Sequence, residues 1–264
     1  MTNAWGRRVL ATYVTVFLAL IALPILVVVL VSFAPTPFLT IPLPSMSWEW
    51  YRHVWNYAPF YDSLITSIQL AVATSVVGAL LAVPCALALA RQQDKWAMAI
   101  VSFLLSPISI PGVVLGFALL YFLSQRTIGP GFLSLFIAHT VISIPYITRT
   151  VLSVYRTVTP SIEESALVLG ASRLQTLMYV TLPQLRHAIF SGMLFACLIS
   201  IDNLAISYFF GTAQTNVLPV VMLSYLQNQY DPSIAAIATI QMTLAVVALL
   251  AGNLLFKQGK VRPL

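Results

Sequence analysis

Long apolar runs separated by short polar connections make up most of the chain. Six stretches hold enough consecutive apolar residues to be read as helices that cross a bilayer: 9–33, 64–90, 98–124, 131–148, 187–211 and 233–256. About 20 such residues span the hydrocarbon. The fourth run is the shortest and can extend past Arg149. Within these limits Asp202 is the one formally charged residue, and every other charge falls in a connection. That division is expected where a charge at mid-membrane costs about 2.5–3.5 kcal/mol on insertion scales. Pro24, Pro84, Pro107, Pro111 and Pro145 lie inside the runs. Each removes a backbone hydrogen bond and favours a kink, which neighbouring helices can absorb.

Composition agrees with the pattern. Hydrophobic residues are 59% of the 264 positions and charged residues 8%, and mean hydropathy is +0.92. A soluble enzyme and a disordered chain are both excluded, because neither surface could be built from so little charge. The net charge of +6 reads as topology-setting charge beside a membrane rather than a nucleic-acid surface. Arg7, Arg8, Arg91, Lys95, Arg149, Arg156, Arg173, Arg186, Lys257, Lys260 and Arg262 fall in one set of connections, and only Arg52 and Arg126 in the other. The positive-inside rule then places both termini in the cytoplasm. The first run is too long for a cleavable signal, and no small-residue cleavage site follows it. Cys85 and Cys197 sit in apolar runs, without metal or disulfide spacing.

The outer connection, 34–63, holds Pro35, Pro37, Pro42, Pro44 and Pro59 with Trp48, Trp50, Tyr51, Trp55, Tyr57 and Tyr61. Its aromatics suit a segment at headgroup depth, or a landing surface for an external partner. The inner connection, 149–186, is richer in local signals. Ser161-Ile162-Glu163-Glu164 reads as a capping box opening a short helix, Gly170 as its left-handed stop, and Ser172-Arg173-Leu174-Gln175 as a second box. Leu182-Pro183 is expected to end the stretch. Ile162, Ala166 and Leu169 share one helical face by spacing. That face packs either against the chain's own span ends or into a groove on a cytoplasmic partner.

The same residues resemble the signature of type I ABC importer permeases, Glu-Ala-Ala, three residues, Gly, nine residues, then Ile-X-Leu-Pro. Here it reads Glu164-Ser165-Ala166, Gly170 and Val180-Thr181-Leu182-Pro183, with the spacing kept and Ser165 and Val180 as departures. Leu105-Ser106-Pro107, Ser200-Ile201-Asp202-Asn203 and Leu218-Pro219 are similar to the spermidine/putrescine-type subfamily. The likeness covers most of the chain from about residue 64. It implies an all-α membrane protein, a single permease domain over 1–264 with six transmembrane helices and a cytoplasmic coupling helix between spans four and five. It implies a bacterial inner-membrane location and a second, homologous permease subunit. It further implies two cytoplasmic ATPase subunits, which carry the ATP and magnesium, and a periplasmic or lipid-anchored binding protein. No cofactor belongs to this chain, which lacks the Gly-x4-Gly-Lys-Ser/Thr phosphate loop and is not itself the enzyme. The residues implied in ATPase coupling are Ile162, Glu163, Glu164, Ser165, Ala166, Leu169, Gly170 and Ala171. Rigid-body motion of this lever would switch the cavity between inward-open and outward-open, with Gly170 allowing close approach at the corner.

Asp202 lies about fifteen residues into the fifth run, roughly 22 Å from its inner end at 1.5 Å per residue. An ionisable group at that depth is a candidate substrate contact, or a partner for a helix end or for Asn203. Asn203, Tyr208 and Phe209 join it as substrate-path candidates, the rings by cation–π contact. Polyamine permeases of this type often have two adjacent acids where this chain has Asp202-Asn203, and an acid where it has Ile108. A polyamine is therefore one expected solute, and an amino acid or another small polar solute is the alternative. Gln69, His139 and Gln241 read as interhelical hydrogen-bonding groups. A secondary transporter is the rival class, yet no internal repeat of the kind such carriers show is visible. A membrane enzyme would need clustered catalytic groups that the interior lacks.

Overall fold

The computed structural model describes residues 4–37, 45–92, 94–212 and 215–257. Pro42, Pro44, Lys260 and Arg262 lie outside the described residues. The described residues form helices and no strand. In chain order these are α1 Ala4–Val31, α2 Glu49–Asn56, α3 Ala58–Leu89, α4 Lys95–Ser109, α5 Gly112–Ser124, α6 Phe132–Tyr155, α7 Pro160–Val168, α8 Arg173–Thr176, α9 Leu182–Ile201, α10 Leu204–Phe210, α11 Leu218–Asn228 and α12 Ser233–Lys257. Five helices are long and apolar enough to cross a membrane, and the bent pair α4–α5 makes six. The six-span fold is therefore present, with local departures from the six simple rods that hydropathy predicts.

The third run is two helices meeting at 109°. Ile110 takes an extended conformation (φ −90°, ψ 131°) ahead of Pro111, which caps α5. A residue before proline is pushed out of the helical region by contact with the ring, so the corner falls there. Pro24, Pro84, Pro107 and Pro145 stay inside unbroken helices. The fifth run ends early, at Ile201, and restarts as the short α10. The fourth extends to Tyr155. α11 forms in a connection that carries no long apolar run.

The chain divides into two compact units, residues 1–61 with 222–246, and residues 62–221 with 247–264. In the first unit, α1 buries no side chain over residues 5–30. Around α2, Phe33, Trp48 and Tyr51 pack ring on ring at 4.9–5.2 Å, and Trp50 Nε1 donates to the Ala34 carbonyl at 2.7 Å. Phe60 is fully buried against Tyr225, 4.8 Å between centroids. The Tyr225 hydroxyl donates to Asp231 Oδ2 at 2.5 Å, and Ser233 N–H donates to Asp231 Oδ1 at 2.8 Å. Trp48 and Trp55 remain exposed.

The second unit is built around α6, whose principal partner is α9. Ala79, Ala82, Val83 and Ala86 of α3 pack with Ile147, Val151 and Leu152 of α6 and with Leu185 and Ala196 of α9. Between membrane helices, tight packing of small residues does the work that water expulsion does elsewhere. A Cβ on Gly192 would stand 3.0 Å from Ile147 Cα, and one on Gly78 would stand 3.2 Å from Ile147 Cδ1. A second cluster joins Leu70, Leu115, Leu135, Ile142, Ile206 and Phe210. It draws α5 and α10 onto the other half of α6. There Gly116 faces Phe209, with 2.8 Å between a Cβ and the ring.

Candidate functional site

The connection between α6 and α9 starts at Arg156, carries α7, and is helical without a break from Arg173 into α9. Helix α7 begins two residues earlier than the expected capping box would place it, with its N-cap at Thr159 rather than Ser161. Pro160 occupies its first turn and Thr159 is the N-cap, with no side-chain cap bond. Proline suits that position because its missing N–H would have no partner there. The Ser161–Glu164 box is thus not formed: Ser161 lies inside the helix, its carbonyl accepting from the Ser165 hydroxyl at 2.7 Å.

The far end of α7 fits the expectation. Ala171 N–H bonds the Ala166 carbonyl and Gly170 N–H bonds the Leu167 carbonyl, both at 3.0 Å. These two bonds with Gly170 at φ +92° make a Schellman stop. Nothing lies within 4 Å of a Cβ built on Gly170. The glycine supplies a backbone conformation that other residues rarely adopt, and no atom of its own chain crowds it. The second box is present in full: Gln175 N–H donates to Ser172 Oγ at 3.3 Å, and Ser172 N–H donates to Gln175 Oε1 at 2.7 Å. Pro183 does not end the stretch. A π-turn over Leu177–Thr181 precedes it, and α9 starts at Leu182 without a break. Wider backbone pairing of this kind accommodates an interruption of the regular ladder; here Leu182 N–H reaches the Leu177 carbonyl.

α7 buries no residue completely. Glu163 and Ala166 face inward, half-buried, whereas Ile162, Glu164 and Ser165 are exposed. Val168 and Leu169 project at the tip, 87% and 88% exposed. The inward face is thus Glu163 with Ala166, and of the Ile162–Ala166–Leu169 stripe only Ala166 is turned toward its own chain. Glu163 Oε2 pairs with Arg91 Nη1 at 2.7 Å. Its Oε1 accepts from the Tyr155 hydroxyl at 3.0 Å and from Thr181 Oγ1 at 2.7 Å. The Arg91 guanidinium lies over the Tyr155 ring, 4.7 Å from its centroid. In the sequence Arg91 counts only as inside charge and Thr181 only as a place in the signature, and Tyr155 carries no signal. They lie in three different segments, and no local periodicity links them.

The intramembrane candidates gather at the α9–α10 break. Asp202 caps α9 and is exposed. Asn203 caps α10, its Oδ1 accepting from Ile206 N–H at 2.9 Å. Phe209 packs on Gly116 and edge-on to Phe117, and Tyr208 is 62% exposed. Fully buried His139 spans the break from α6, with Nδ1 2.8 Å from Ser200 Oγ and Nε2 2.9 Å from Ser207 Oγ. The Ser207 hydroxyl donates to the Asn203 carbonyl. A cavity of about 170 Å3 lies where both helix breaks meet, lined by Pro107, Ile110, Gly112, Tyr146, Asn203 and Ile206 among others. No cluster of metal-ligating side chains occurs among the described residues.

A family model described as "Binding-protein-dependent transport system inner membrane component" matches residues 75–258. The spermidine/putrescine transport system permease protein PotC of Haemophilus influenzae is 26% identical over 247 residues, covering 94% of this chain and 96% of that protein. The molybdenum transport system permease protein ModB of Mycobacterium bovis is 32% identical over 201 residues, 71% of this chain and 75% of its own. Among solved structures, a bacterial ABC transporter involved in import of the acidic polysaccharide alginate superposes with a TM-score of 0.74 at 14% identity. The match covers 97% of this chain and 96% of that one, and it is a likeness of fold.

Proposed function

The chain belongs to the binding-protein-dependent transport system inner membrane component family, a multi-pass membrane permease subunit of an ABC importer, and from that premise we propose how it works. Acting as one permease domain over residues 1–264, it pairs with a homologous permease. It takes substrate from a binding protein outside and docks two ATPases inside, with both termini in the cytoplasm. The observation that carries this reading is the bare apolar tip at Val168 and Leu169, enclosed by a Schellman stop and followed by a capping box. An apolar end without a neighbour in its own chain is suited to a groove on another protein. Ile162, Glu164 and Ser165 border that tip, while Ala166, Gly170 and Ala171 shape its stop.

The solute we propose is a small polyamine such as spermidine or putrescine. The name of the Haemophilus influenzae relative supports it, as does a carboxylate, Asp202, exposed at a helix break beside Asn203. Helix breaks at membrane depth serve as solute sites in other transporters. Tyr208 offers a ring face for an ammonium group; Phe209, packed inward, shapes the break. The molybdenum relative favours a second reading, an oxyanion, which the Asp202 charge would repel.

The test is uptake into proteoliposomes holding the permease pair, ATPases and binding protein. ATP inside should drive accumulation of labelled putrescine or spermidine, and Asp202→Asn should lower the rate about ten-fold with ATPase binding intact. Uptake driven by an ion gradient without ATP would overturn the class. Accumulation of molybdate in place of amines would overturn the solute.

A further inference from the structure

Glu163 stands apart from its neighbours on α7. Its side chain is 12% exposed, in a helix with no fully buried residue. Apolar packing therefore contributes little to holding α7 in place, and the attachment is polar and directional. One carboxylate takes bonds from three separate segments: Arg91 just beyond α3, Tyr155 at the last residue of α6, and Thr181 at the end of the π-turn that leads into α9. The first two partners are also bound to each other through the guanidinium–ring contact. A further tie runs from Arg156 Nε to the Ala90 carbonyl at 3.3 Å. Charge-assisted bonds of this kind are short and fixed in direction, unlike apolar contacts, which slide.

We propose that Glu163 is the transmission joint of the permease: it touches no ATPase, and instead makes the ends of α3, α6 and α9 follow α7 when α7 is moved. This rests on the docking of α7 proposed above. It assigns Glu163 a different part from exposed Glu164, Val168 and Leu169, which face the partner. Arg91, Tyr155 and Thr181 are then positioning residues of the same joint. The π-turn also acquires a purpose, because it sets the register that aims Thr181 at the carboxylate.

The experiment uses the complete transporter in proteoliposomes and reads three quantities: co-purification of the ATPases, binding-protein-stimulated ATP hydrolysis, and uptake of labelled putrescine. For Glu163→Gln the ATPases should co-purify in wild-type amount and hydrolysis should persist within about two-fold. Uptake should fall at least ten-fold, so that the ratio of solute moved to ATP spent collapses. Tyr155→Phe and Thr181→Val, which each remove one hydroxyl from the carboxylate, should lower that ratio two- to five-fold. A merely structural role would lower hydrolysis and uptake together. Loss of the ATPases from Glu163→Gln but not from the wild type would overturn the joint, by making Glu163 a docking contact. An unchanged ratio in Tyr155→Phe and Thr181→Val would overturn it as well. Absence of ATPases from the wild-type complex would overturn the docking reading and the joint with it.

Discussion

Gly170 separates two explanations that sequence alone leaves tangled. Its backbone sits at φ +92° with open space where a side chain would go. Within its own chain the requirement is therefore one of conformation, and any other residue is strained there by about 1–3 kcal/mol. Gly170→Asn should be tolerated better than Gly170→Ala, since asparagine visits left-handed backbone more readily. ATP-driven uptake should rank wild type, then Asn, then Ala; equal rates would show that the corner does not depend on this turn. The neighbouring cap shows how local reading fails. Ser161 and Glu164 have the right spacing for a box, but Pro160 already fits the first turn, and the helix starts early. Ser172 and Gln175 face no such competitor, and their box forms.

At the scale of elements, the spans were legible because hydropathy and length are properties of a run, which packing does not alter. The breaks were not legible. Five prolines fall inside apolar runs, and only the Ile110–Pro111 corner bends the chain by 109°. Whether a proline breaks a membrane helix depends on which neighbour satisfies the freed carbonyls, and a neighbour is a tertiary fact. The α9–α10 break carries no proline at all. It is held by His139, which binds Ser200 on one side and Ser207 on the other. His139→Ala leaves the Ser207 hydroxyl only its bond to the Asn203 carbonyl and leaves Ser200 only the 3.5 Å contact from Thr74 Oγ1, and loss of the two imidazole bonds costs about 1–3 kcal/mol. The thermal midpoint of the detergent-solubilised protein should drop by several degrees. A midpoint within a degree of wild type would mean the serines find other partners.

Over the whole molecule, the two compact units rest on different chemistry. The unit of residues 62–221 with 247–264 relies on close helix packing and the Glu163 cluster. The unit of residues 1–61 with 222–246 relies on aromatic rings around one carboxylate. Burial pushes the Asp231 carboxyl up, but the bonds from Ser233 and Tyr225 outweigh it and leave it below its ordinary 3.8. Burial, then the bond to Asp231, pushes Tyr225 up from 10.0 to about 12. A depressed carboxyl stabilises the fold above its unfolded value and loses that contribution as pH falls through the folded one. The raised phenol contributes below 10.0, and the contribution is lost as pH rises through about 12. Tryptophan emission from Trp48, Trp50 and Trp55 should therefore show an acid transition below about pH 4. Asp231→Asn should flatten it, and an unaltered acid limb in that variant would reject the assignment.

The row of groups at the α9–α10 break also has a direction. Ser207 has spent its one hydrogen on the Asn203 carbonyl, so toward the imidazole it can only receive. That places the ring hydrogen on Nε2 and leaves Nδ1 to receive from Ser200. From Ser200 through the ring to Asn203 every hydrogen points the same way, like a line of compass needles. Moving the ring hydrogen to Nδ1 would turn both serine hydroxyls around and release the Asn203 carbonyl, so the two sides of the break hold a common polarity that neither can reverse alone.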